Sequence, residues 1–135
     1  MTREDKQLLL KDLCARLPYE VKILQGGVII ETLQSICKVG DNDYTVNPIT
    51  NDMYNGFYIE QVKPYLRPMS SMTKGEEKEY SELWDLQDRF PTDADIRFKI
   101  DVFDWLNAHH FDYRGLIEKG LALEAPEGMY KTEKK

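Results

Sequence analysis

The hydrophobic period changes at Pro18, and that change most constrains what the chain can fold into. Before it, Leu10, Leu13, Cys14 and Leu17 recur at i, i+3, i+4 and i+7, one apolar helix stripe, which leaves Lys6, Lys11, Asp12 and Arg16 for the surface. Thr2 is placed to cap this helix, with Asp5 in the position of a capping-box Glu. Proline lacks the donor for the preceding turn and restricts Leu17, so the helix stops there. From Tyr19 to about Val62, β-branched runs broken by turn residues predict an antiparallel meander. Gln25-Gly26-Gly27 divides Val21–Leu24 from Val28–Lys38, Gly40-Asp41-Asn42-Asp43 precedes Tyr44–Val46, and Asn55-Gly56 precedes Phe57–Glu60. Asn47-Pro48 to Tyr54 reads as a loop, because Pro48 is excluded from a central strand.

A small sheet of this kind is stable only with helices packed on it. Pro64 to Met72, with Pro64 and Pro68 four apart, reads as an extended connector along the sheet surface. Thr73 and Glu76 form a capping box for a helix to about Arg89, with Tyr80, Leu83 and Trp84 inward. Residues 101–110 read as helix. The stretch 94–100 fits both templates, and Thr92 or Asp93 as a cap favours helix there too. Asp112 is placed to cap a short helix over Tyr113–Lys119 that Gly120 ends, before an extended Leu121–Pro126. The predicted class is therefore α+β. It is a small antiparallel sheet of three to four strands over residues ~20–62, packed by an N-terminal helix and two to three C-terminal helices, with 1–135 as a single domain.

The chain has 135 residues, of which 18 are Lys or Arg and 24 Asp or Glu, a net charge of -6. That sign argues against nucleic acid as a partner, since backbone binding needs a positive field. The first apolar run, Leu8-Leu9-Leu10, is too short for a signal-peptide core or a membrane span, so a cytoplasmic protein with no membrane contact is expected. In that setting Cys14 and Cys37 are expected as unpaired, buried thiols. The charge is uneven: residues 1–68 carry 8 basic and 9 acidic side chains, net -1, and 69–135 carry 10 and 15, net -5. Such a run is a solvated helix face or a docking surface for a basic partner, and Glu76, Glu79 and Glu82 with Tyr65 and Arg67 of the connector are the candidate partner-binding residues.

Chemistry has one candidate location. His109-His110-Phe111-Asp112 holds both histidines, and imidazole beside carboxylate suits acid–base work. Adjacent helical residues point about 100° apart, so His109 and His110 cannot ligate one metal as an i, i+4 pair does. A histidine at a helix end also meets the negative dipole and bonds the last carbonyls. No phosphate loop, paired-cysteine or zinc-protease motif occurs, so no metal or cofactor is expected. His109, His110, Tyr113 and Arg114 are the candidate ligand-binding residues, with Arg114 able to fork to a phosphate or carboxylate of a small anionic or nucleotide-like molecule. The leading expectation is a non-enzymatic module that contacts another protein or itself, with the small-ligand binder as the alternative and an enzyme using His110 and Asp112 as the third reading.

The segments LLLKDLCARLPY (8–19), KPYLRPMSSMT (63–73), WLNAHHFDYRGLI (105–117) and LALEAPEGMY (121–130) resemble a family of small proteins of gut Bacteroides-type bacteria and their phages or mobile elements. The resemblance covers about a third of the chain. It implies a setting, the cytoplasm of such a bacterium, and no activity. This sequence departs from the family pattern at Glu20, where glycine is usual after Leu-Pro-Tyr, and at Lys74-Gly75, which interrupts the acidic helix start.

Overall fold

A computed structural model of the protein describes residues 1–27, 29–48, 57–89 and 94–130. Helix α1 (Arg3–Arg16) begins as its sequence dictates: the Thr2 hydroxyl accepts from Asp5 N at 3.0 Å, and the Asp5 carboxylate accepts from Thr2 N at 3.3 Å. Its buried face is Leu9, Asp12, Leu13 and Arg16, one position round from the apolar stripe read in the sequence. One residue is about 100° of rotation. The helix turns a charged pair inward and leaves Cys14 exposed. Cys37 is exposed as well, which corrects the expectation of two buried thiols. Partial burial pushes the Cys14 thiol up, away from the reactive thiolate.

After α1 a 3-10 turn over Leu17–Tyr19 ends at Glu20, held at φ 58°. This is the left-handed region that favours glycine. The strands are β1 (Lys22–Gln25), β2 (Ile29–Lys38), β3 (Tyr44–Pro48), β4 (Phe57–Tyr58), β5 (Val62–Leu66) and β6 (Leu123–Glu124). They form one six-stranded sheet in the order β4-β3-β2-β1-β5-β6, larger than the three to four strands expected. The meander β1 to β4 is antiparallel as predicted, with a register shift between Leu33 and Ser35, and β6 joins β5 in parallel. Gly26 and Gly27 take φ of 59° and 76° at the first hairpin. The turn expected at Asn55-Gly56, the loop over 49–54 and the caps at Thr92 or Asp93 lie outside the described residues.

Both strand prolines contradict the sequence reading. Pro48 ends β3 opposite Leu33, and Pro64 sits inside β5, between β1 and β6. Gly26 N donates to Gln61 O, and bonded pairs recur at every second residue, so Ile23 and Pro64 face each other as a non-bonded pair. Pro64 owes β1 no donor there. The stretch expected as a connector thereby supplies a central strand.

α1 lays Leu9 and Leu13 on the sheet against Val21, Ile23, Val62 and Leu66. A second apolar cluster lies under α2 (Lys74–Arg89) and α3 (Ala94–Ala108), where Val102, Leu106 and Phe111 pack with Met69, Met72, Tyr80 and Leu83. The residues after α3 form turns rather than the third C-terminal helix expected, although Gly120 takes its predicted positive φ.

Candidate functional site

Where the two apolar clusters meet, the protein buries charge. Arg16, 0% exposed, donates to Asp12 at 2.8 and 3.1 Å and to the Phe111 carbonyl at 2.5 Å. Arg114 pairs with the same Asp12 carboxylate at 3.3 Å, and both guanidinium groups lie over the Tyr113 ring, at 5.4 and 5.1 Å. On the other side of Phe111, Arg67 forks onto Glu76 at 2.7 and 2.8 Å and stacks its guanidinium over the Phe111 ring at 4.2 Å. Glu76 also closes the predicted box with Thr73, through bonds of 2.9 and 3.1 Å. Burial opposes its charge, but the Arg67 and Thr73 bonds outweigh it and hold the carboxyl below its usual 4.5.

The histidines follow from how α3 ends. His110 N donates to Asn107 O and Phe111 N to Leu106 O, the paired closing bonds of a helix whose next residue is left-handed, and His110 itself carries φ 64°. That turn sends the two rings apart. His109 stacks on Trp105 at 4.2 Å with Nδ1 2.8 Å from the Trp105 carbonyl. A carbonyl only accepts, so Nδ1 carries the proton. His110 is 6% exposed and stacks on Tyr130 at 3.9 Å, with no partner for Nδ1. Burial, together with the charges of Arg16, His109, Arg67 and Lys22, pushes it down to about 3. It is a neutral ring, and does not meet the helix dipole as a cation.

The Tyr130 hydroxyl accepts from Lys22 N and donates to Tyr65 O, both at 2.8 Å. It thus takes the place of the next ladder bond between β1 and β5. Burial pushes its phenol above the usual range.

A groove of about 750 Å³ opens between α2, α3 and the turns after α3. Its floor is Val102 and Leu106, its walls are Tyr80 and Trp84 on one side and Phe103 and Tyr113 on the other, and Lys99, Glu118 and Glu124 stand at its rim. Phe103 and Tyr113 pack at 5.2 Å, Tyr80 and Trp84 edge to face at 6.1 Å. Trp84 is 42% exposed and Phe103 46%. Asp112, also on the lining, spends both oxygens on the Leu116 and Ile117 N–H groups at 2.8 and 3.0 Å. Glu118 and Glu124 are exposed, and their side chains make no hydrogen bond or ion pair among the described residues.

Of the expected ligand-binding residues, only Tyr113 lines this groove. Arg114 is engaged with Asp12, His109 with Trp105, and His110 with Tyr130. Of the expected partner-binding residues, Arg67 and Glu76 hold each other, and the Tyr65 carbonyl holds Tyr130. Glu79 and Glu82 are exposed on α2. None of the groove residues Trp84, Phe103, Glu118 and Glu124 was expected as a site residue; Trp84 was expected to face inward from its helix, and it is 42% exposed. The available signal was the second apolar pair Ile100 and Phe103 on α3, which exceeds what one buried stripe with Val102 and Leu106 requires. Among the described residues no group of three His, Cys, Asp or Glu side chains is arranged to hold a metal, and no helix is long and apolar enough to cross a membrane. Comparison with protein-family models, curated proteins and solved structures finds no match to this chain.

Proposed function

We propose that the protein is a non-enzymatic interaction module that takes an apolar segment of another protein into the α2/α3 groove, in the bacterial or mobile-element cytoplasm that the family resemblance implies. The observation that carries this reading is the groove itself. Two aromatic pairs stand across a buried aliphatic floor, with Trp84 and Phe103 half in solvent where an interaction site places its anchors. The His110–Asp112 pair does not compete with it: among the described residues His110 Nδ1 has no partner, and both Asp112 oxygens face backbone N–H groups.

A photo-crosslinking amino acid at position 103, and separately at exposed Lys11 on α1 as a control, tests the reading in cells of the native host. A discrete adduct from position 103 and none from position 11 is expected. Equal labelling from both, or none from 103, would remove it. The groove volume also falls within the range of small-ligand pockets, on the order of 300–1,000 Å³. A ligand carried through purification and seen by native mass spectrometry, then lost in Phe103→Ala, would favour that second reading.

A further inference from the structure

The groove is apolar inside and acidic outside. Glu118 and Glu124 stand at its rim unpaired among the described residues. The helices beside it continue the sign: α2 exposes Glu77, Glu79, Glu82 and Asp85 against Lys74 and Lys78, and α3 exposes Asp101 and Asp104 against Lys99. Carboxylates bordering a low-dielectric groove add their fields, so the potential over the mouth is negative and selects the charge of what enters.

We infer that the segment this groove takes is basic and amphipathic, with apolar side chains on Val102 and Phe103 and lysines or arginines reaching Glu118 and Glu124. The inference rests on the groove reading given above and names its partner by chemistry. A second copy of this chain is the wrong occupant. A two-fold interface through the same patch sets Glu118, Glu124 and the acidic face of α2 against their own copies, in a chain of net charge -6. An acidic or neutral segment leaves the rim carboxylates unpaired on closure.

The test titrates the full chain with two helix-forming probe peptides, one of leucine and lysine in amphipathic order and its leucine–glutamate counterpart, by calorimetry and tryptophan emission. The lysine peptide is expected to bind and the glutamate peptide not to. Exchanging Glu118→Gln and Glu124→Gln together should weaken binding about tenfold, since each exposed pair carries roughly threefold. Phe103→Ala should weaken it tenfold or more, as loss of a central anchor does. All three positions are exposed, so the variants fold.

Equal binding of the two peptides, or lysine-peptide binding unaffected by the double glutamine variant or by Phe103→Ala, overturns the inference. So does concentration-dependent dimerisation that Phe103→Glu abolishes. A position-103 crosslink obtained alongside failed peptide dependences leaves the interaction module standing and removes only the basic partner.

Discussion

Acid should weaken this protein well above the pH at which its carboxylates protonate, and His110 is the reason. In the unfolded chain its imidazole titrates near 6.5, while in the folded chain it is held down to about 3. Because the folded value is depressed, the unfolded state binds the proton first. The contribution is complete above pH 6.5 and drains away as the pH falls toward 3. Linkage puts the loss between pH 7 and pH 5 at about 2 kcal/mol, and the whole excursion at about 5 kcal/mol, against ~5–15 kcal/mol for a domain of ordinary stability. Glu76, also held low, adds its own loss only below its usual 4.5, so the upper window isolates the histidine.

Urea unfolding followed by circular dichroism at half-unit pH steps reads this directly. His110→Asn is the comparison variant, because asparagine tolerates the φ of 64° that position 110 requires. The variant will be less stable at neutral pH for want of the Tyr130 stack, but its stability should be flat from pH 7 to pH 5 where the parent falls. A parent that is flat over that window, or a variant that keeps the slope, refutes the assignment.

Changes at four further positions have outcomes that follow from the packing. Asp12→Asn leaves Arg16, fully buried, and Arg114 without their anion and should cost about 3–5 kcal/mol. Lys6→Ala, which removes partly exposed pairs to Asp43 and Glu60, should cost no more than ~1 kcal/mol, and thermal melts of the two variants compare them. Glu20→Gly should raise stability by about 0.5 kcal/mol by relieving the left-handed residue after the first 3-10 turn, whereas Glu20→Val should lower it. Tyr130→Phe strands Lys22 N–H and Tyr65 C=O and should cost about 1–3 kcal/mol, with hydrogen exchange at the Lys22 amide accelerated; unchanged protection there counts against the bridging hydroxyl.

The sequence spoke clearly wherever structure is local. Both capping boxes, the Gly26-Gly27 hairpin, the antiparallel meander and the positive φ of Gly120 depend on residues a few positions apart. It misled where a distant partner decides. Asp12 and Arg16 read as surface because charge is counted as polar, yet four residues apart they neutralise one another and go under the sheet with Phe111 O as the third partner, 95 positions from Arg16. Pro64 read as part of a connector rather than of a strand, because the pairing parity that spares its missing N–H is set by Gly26 and Gln61. β6 has only two residues and no pattern of its own. The groove was half visible, its acidic helices in the charge asymmetry and its aromatic walls as inward-facing helix positions, but their meeting around one cavity is tertiary information.

The Tyr130 hydroxyl bears on the order in which the chain assembles. During synthesis the meander and α1 emerge from the ribosome first, yet the bridge between Lys22 and Tyr65, the β6 cover on β5 and the ring over His110 all come from residues 123–130. Contacts so far apart in sequence form last. Until they do, the edge of β5 is bare and His110 is wet and able to take a proton. A nascent chain paused before Leu123 is therefore a sheet with one sticky side, and the emergence of residues 123–130 is the step that seals it.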